Sequence, residues 1–254
     1  MRFPGAILEG SIGDSLPKEK HPSLSLFRDT VMLMLISYPR LFRLVRSPHK
    51  FVMAFCGLSK SDTHVFEFRD GLRLSTRSNG ADLRALLEAS VWNLYTEGLQ
   101  FSPDQDLVVI DIGGHIGTFS VSTAWRFKRS RVYSFEPFKE NFDMFLSNIK
   151  QNRVTNVFPS MTAVAGRRGT VSLGVSNVNT GGHSICLAGQ SSTKVEAATL
   201  SDVFSSNGLE RCDLLKIDCE GAEYEILFST PTSVLRKIRN IAMEYHNIQG
   251  HSGE

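Results

Sequence analysis

Apolar positions recur along the chain in three different rhythms. Up to about Gly57 they fall at Leu24, Phe27, Val31, Met34, Tyr38, Leu41 and Val45, in steps of three and four, which predicts one apolar stripe on a helix. Arg40, Arg43, Arg46 and Lys50 repeat at similar spacing on another face. Pro39 interrupts the stripe and predicts a bent helix or two helices. From His64 to about Gly98 the rhythm changes. VFEF and LRLS flank Asp70-Gly71, a strong local hairpin signal. Leu83, Leu86, Leu87, Val91, Leu94 and Tyr95 then mark a covering helix that stops near Gly98.

From Leu107 onward, short continuous apolar runs alternate with helical stretches. LVVID, RVYSFE, DLLKID and NIAMEYH read as strands buried on both faces; FKENFDMFLSNIKQN and CEGAEYEILF read as helices. Phe138, Phe142, Phe145 and Ile149 line one side of the first of these helices. VFPSMTAVAG, TVSLGV and KVEAAT are strands of a less regular stretch, and Thr199 with Asp202 opens a short helix. Strands that alternate with helices predict an α/β fold with a doubly wound, mostly parallel sheet. The division expected is a helical extension over residues 1–63 and a main domain over 64–254, with hairpin and covering helix at 64–98 and the α/β core at 107–246.

Composition narrows the partners. The 254 residues carry 28 Lys and Arg against 26 Asp and Glu, a net charge of +2, with no half basic enough to make nucleic acid the default partner. Cys56, Cys186, Cys212 and Cys219 include no C-x-x-C pair, so neither a zinc site nor a disulfide framework is signalled. No export signal is visible, and the longest apolar run, Val31–Ile36, is far short of a spanning helix. A reducing, cytoplasmic setting is the expectation. The basic face of the first region reads as solvated, or as a peripheral membrane contact through residues 24–50 on an anionic surface.

Ligands of doubly wound sheets bind outside the carboxyl ends of the strands. There the first core strand runs into DIGGHIG, where Asp111, Gly113 and Gly117 have D-x-G-x-x-x-G spacing. Glycines allow a sharp turn and a close backbone approach to a ligand. A dinucleotide fold wants G-x-G-x-x-G, and Gly114-His115 breaks that pattern. The carboxylate of Asp111 repels a pyrophosphate but suits a ligand with an ammonium and a sulfonium, as in S-adenosylmethionine. Glu136 ends the next strand, where an acid accepts hydrogen bonds from ribose hydroxyls of either nucleoside.

DIGGHIGTFS, YSFEP, NFDMFLSNIKQN, LLKIDCEGAEYEIL and EYH together resemble the FkbM family of S-adenosylmethionine-dependent methyltransferases, over about Val65 to His246. KIDCEGAE is the most specific element. The family's usual D-I-G-A-N-I-G reads Gly114-His115 here. The resemblance implies a class I methyltransferase sheet and methyl transfer to a hydroxyl of a small molecule or glycan. Its cofactor set would be Asp111, Gly113, Gly114, His115, Gly117 and Glu136. VNTGGHSI, with His183, also resembles a family loop.

A hydroxyl nucleophile needs a base within hydrogen-bond reach. Asp218 and His246, each ending a strand on the ligand-facing edge, are the candidates; Glu220, Glu223 and Glu244 lie nearby, and acids in a first helical turn such as Glu223 and Glu225 also complement the helix dipole. A divalent cation held by an Asp, a Glu and a His is an alternative way to polarise the hydroxyl. Lys216, inside a buried strand, receives no role. Only NIQGHSGE follows His246, too little for the two further strands of a class I sheet. A truncated or non-catalytic cofactor-binding subunit therefore stands beside the enzyme reading. The last strand's exposed edge predicts a homo-oligomer contact unless the N-terminal region covers it.

Overall fold

The computed structural model describes residues 6–10, 37–78, 80–174, 192–219 and 221–245. The apolar runs become β4 (Val108–Ile112), β5 (Arg131–Phe135) and β10 (Leu214–Ile217), all central in one sheet and buried on both faces. With β1 (Ala6–Gly10), β6 (Val157–Ser160) and β11 (Ile241–Tyr245) they form six parallel strands in the order β1-β11-β10-β4-β5-β6. The order reverses direction at β4 and β10, so the crevice for a ligand opens at their carboxyl ends.

Side-chain alternation divides the core. Val108, Ile110 and Ile112 face a cluster with α6 (Leu200–Ser206) and α7 (Glu223–Ser229), through Val203, Phe204 and Ile226. Val109 faces the opposite cluster, which gathers α4 (Thr118–Arg126), α5 (Lys139–Asn152) and the N-terminal helices, through Phe119, Phe145, Leu41 and Phe51. The Thr199–Asp202 capping box that opens α6 forms as the spacing predicts.

Three expectations are corrected. The N-terminal region is not wholly helical, because β1 runs parallel to β11 from Ala6 beside Ile241 to Gly10 beside Tyr245. The outer edge of β11 is thereby covered, and the oligomer contact expected along it finds no open ladder there. Residues 37–44 (α1) stay helical through Pro39; the division falls at residues 45–47, where Pro48 starts α2 (Pro48–Phe55) at the position where a missing N–H costs nothing. The covering helix is also not one regular element. It is α3 (Gly80–Leu86), a π-helical turn at Leu87–Trp92, a left-handed Asn93 and a single 3-10 turn at Leu94–Thr96. Irregular strands β7 (Ala163–Val164), β8 (Gly169–Gly174) and β9 (Ser192–Ala198) form a separate three-stranded sheet.

The hairpin is β2 (Thr63–Glu67) paired with β3 (Arg73–Arg77), and it turns at Asp70-Gly71, where the Asp70 carboxylate accepts from Leu72 N–H. Among the described residues, no strand lies along the free edge of β3. Two buried asparagines of α5 take that place. Asn148 accepts from Ser75 N–H at 2.7 Å and donates to Ser75 C=O, while Asn152 accepts from Arg73 N–H at 2.8 Å. The Asn148 amide also donates to the carbonyl of Ile116 at 2.8 Å, inside the glycine loop. One buried side chain thus ties hairpin, helix and loop together. Asn148→Ala removes four side-chain hydrogen bonds, one of them from Gln151 and one to the buried Ile116 carbonyl, and the bonds to backbone are each worth about 1 kcal/mol. A loss of roughly 3 kcal/mol in urea unfolding is the expected result.

Candidate functional site

The strand β4 ends on Asp111-Ile112, and the chain then turns through Gly113 to Gly117 into α4. Gly113 has φ 82°, and a Cβ there would come within 1.7 Å of the Asp218 carbonyl oxygen. Gly117 has φ 81°, and its Cβ would enter the Phe145 ring. Only glycine fits at either position. Gly113 and Gly114 both donate N–H to the carbonyl of Phe135, which fixes the loop over β5.

Glu136 lies where the sequence predicts, just past β5 and buried, and it holds the loop as well. Its carboxylate accepts from the backbone N–H of His115 at 2.7 Å and of Phe138 at 2.9 Å. Burial pushes its carboxyl above the usual range, and His115 and the N–H donors counter this only in part. His115 takes a left-handed backbone, φ 50°, which is costly for a residue with a Cβ.

Asp111 is placed differently from the expectation. It is fully buried beneath the loop, with Oδ2 accepting from Ser120 at 2.6 Å and Ser134 at 3.0 Å. Its other oxygen lies 3.1 Å from Lys216 Nζ. A direct contact with the ligand's cations is therefore not its geometry; it serves as counter-ion to Lys216. The two residues are register partners across β4 and β10, which points both side chains to one face. Lys216 Nζ also donates to Gly113 C=O at 2.7 Å and stands 3.7 Å from Asp218 Oδ2. Burial alone would lower the lysine's pKa, but Asp111 and Asp218 override it and hold the ammonium above its ordinary value.

Asp218 follows β10 and remains 24% exposed, so this carboxylate combines buried support with access. Tyr95 OH donates to its Oδ2 at 2.9 Å. Burial first, and the Asp218 charge second, push the Tyr95 phenol well above its usual pKa, so it stays a donor. Tyr95 and Glu88 come from the irregular segment that follows α3. Burial raises the Glu88 carboxyl; Arg84, at 2.6 Å, opposes this and Asp218 adds to it. Glu223 is buried and accepts from the N–H groups of Cys219 and Gly221, so it pins the turn after Asp218. His246, His183 and Glu220 lie outside the described residues. Among the described residues, no three His, Cys, Asp or Glu side chains come together as a cation site.

Sequence reasoning missed the ring that holds the loop from the hairpin side. The carboxylate of Asp82 is fully buried and accepts from Arg77 N, Nε and Nη2 at 2.8–2.9 Å. His115 Nε2 lies 3.3 Å from its Oδ1, an electrostatic contact more than a well-directed hydrogen bond. Arg77 also donates to Asn141 at 2.6 Å, and Asn141 approaches Glu136 at 3.5 Å. The available signal was Asp82 itself, an acid on the apolar side of a helical stripe beside Leu83 and Leu86. Burial would raise its carboxyl, but His115 and Arg77 hold it well below the usual range. The stabilisation is complete above the unfolded value near 4 and shrinks as pH falls below it. Asp82→Asn should cost roughly 3 kcal/mol near neutrality by leaving the half-buried Arg77 guanidinium poorly paired. Between about pH 5 and pH 2 its Tm should fall less steeply than that of the parent, as measured by thermal denaturation.

A family model described as the methyltransferase FkbM domain matches residues 111–253. The AMB antimetabolite synthetase AmbE of Pseudomonas aeruginosa is 29% identical over 188 residues, which cover 59% of this chain and 9% of that protein. The 31-O-demethyl-FK506 methyltransferase FkbM of Streptomyces tacrolimicus is 26% identical, over 62% of this chain and 71% of its own. The hexuronic acid methyltransferase AglP of Haloferax volcanii is 25% identical, over 56% and 57%. The match begins at Asp111 and takes in the glycine loop, Glu136, Lys216 and Asp218. The chain thus belongs to the FkbM-domain family of methyltransferases, whose cofactor is S-adenosylmethionine.

Proposed function

We propose that the chain transfers a methyl group from S-adenosylmethionine to a hydroxyl of a small molecule or glycan. The observation that carries this reading is Asp218, an accessible carboxylate beside the glycine loop, held by Tyr95 and Lys216. The residues fit the cofactor. Glu136 keeps acceptor capacity for ribose hydroxyls beyond its two N–H partners, and the backbone of Gly113 to Gly117 presents no side chain except His115 and Ile116. Bound there, S-adenosylmethionine supplies an electrophilic methyl group on a sulfonium centre. Asp218 would accept the acceptor's hydroxyl proton as that oxygen becomes nucleophilic. Tyr95 orients the carboxylate through its phenol, and the Lys216 ammonium stands beside it. The relatives named for a hexuronic acid and for a 31-O-demethyl compound support an oxygen acceptor.

The test is methyl transfer with labelled cofactor over sugars, uronic acids and hydroxylated metabolites. Asp218→Asn should lower turnover by a factor on the order of 10²–10⁴ with the Kd for S-adenosylhomocysteine nearly intact. Glu136→Ala should do the reverse, weakening that Kd by about 1.5–3 kcal/mol per lost hydrogen bond. Cofactor binding without transfer to any hydroxyl would favour a non-catalytic cofactor-binding subunit.

A further inference from the structure

We propose that the surface of residues 37–58, with the pocket beside it, docks on a lipid bilayer that bears anionic headgroups. This surface combines exposed apolar side chains with an excess of positive charge. Phe42 is 57% exposed, Met53 46% and Leu58 68%, with Tyr38 and Leu44 also outside the core. Leu41, Val45, Phe51 and Ala54 are buried between them, so α1 and α2 each present one face inward and a second apolar edge to solvent. Between Thr30 and Ser61 the sequence has five Lys and Arg and no Asp or Glu. Arg46 is engaged by Glu67 at 3.3 Å, whereas Arg40, Arg43 and Lys50 form no ion pair with the described residues.

Beside Phe42 lies a cavity of about 190 Å³, lined by Arg43, Leu44, Arg69, Asp70, Trp125 and Arg126 among others. Three guanidinium groups face one carboxylate, so the pocket carries net positive charge. Partial burial disfavours the charged form of Arg126, and Asp70 offsets only part of that. Lys128 stands 3.7 Å over the Trp125 ring at the same rim. Interleaved bases and apolar side chains, with an aromatic at the rim and no acid in the segment, suit an interface of hydrocarbon and phosphate headgroups. A protein partner would not require such an excess of one sign of charge. The hairpin's turn lines the cavity together with Trp125, while its far end, Arg77, is linked to the glycine loop through Asp82. Docking would therefore leave the cofactor loop at the opposite end of the hairpin from the bilayer.

The experiment is co-sedimentation of the full chain with vesicles of phosphatidylcholine alone and of equal parts phosphatidylcholine and phosphatidylglycerol. Each basic side chain near an anionic surface is worth about 1 kcal/mol, or about fivefold in partitioning. The double change Arg40→Glu with Arg43→Glu should therefore weaken binding to the anionic vesicles by roughly 25-fold or more. Phe42→Ser with Met53→Ser should weaken it at low and high salt alike, and salt of about 1 M should weaken binding of the parent. Unchanged thermal stabilisation by S-adenosylhomocysteine shows that both variants are folded, and neither touches the proposed site. Equal binding of the parent to neutral and anionic vesicles would overturn the proposal, as would full binding by the charge-reversed chain. Light scattering that finds a parent dimer made monomeric by Phe42→Ser with Met53→Ser would assign the surface to a second copy instead.

Discussion

A single ammonium group governs the middle of this molecule. Lys216 stands on a central strand, deep in the sheet, where an unpaired charge would cost several kcal/mol. It is tolerable because Asp111 on the adjacent strand, the carbonyl of Gly113 and the carboxylate of Asp218 surround it. Each of those contacts also fixes something that a cofactor site needs: the floor of the loop, the path of its first glycine and the orientation of an accessible acid. A neutral residue at 216 would leave two carboxylates facing each other across the crevice.

The loop is held from its other side by a second, independent set of charges. Asp82, Arg77, Asn141 and Glu136 come from the covering helix, the hairpin, α5 and the turn after β5, and they meet around His115. The hairpin is therefore more than a cover for apolar surface. It supplies the cation that lets an acid be buried behind the loop, and the strained backbone of His115 is stabilised by partners on both sides of its Cα. All of these contacts are made within the chain, so they restrict the loop and reduce the ordering that binding must supply.

The rhythm of apolar runs was enough to locate β4, β5 and β10 and to put Asp111, Glu136 and Asp218 near their carboxyl ends. What it could not supply was adjacency. Lys216 looks misplaced until β10 is laid beside β4, when Asp111 becomes its register partner. Tyr95 fits an apolar stripe so well that its hydroxyl goes unnoticed, and the π-helical turn that precedes it shifts the face it presents. Asn148 and Asn152 read as the polar flank of an amphipathic helix; they are buried because the edge of a strand needs their amides. The parallel pairing of Ala6–Gly10 had no signal in a segment so poor in alternation.

Those two asparagines also set a limit of length. Four residues advance a helix by about 6.0 Å, while two residues advance a strand by about 6.7 Å. Amides spaced i, i+4 on α5 therefore keep step with residues spaced i, i−2 on β3, as Asn148 does with Ser75 and Asn152 with Arg73. The two rulers drift apart by roughly 0.7 Å at each step, so a third amide further along would miss its peptide by more than a hydrogen bond tolerates. A helix can imitate a strand for two residues and no further. Within that span the match admits one alignment only: sliding the hairpin by one pair of residues sets one asparagine on the other's peptide and leaves the second facing Arg77 or Gly71, whose N–H groups are already given to Asp82 and to the Phe68 carbonyl. The graft behaves as a vernier that fixes the hairpin to within one pair of strand residues, and the Asn148 amide carries that position on to the Ile116 carbonyl in the glycine loop.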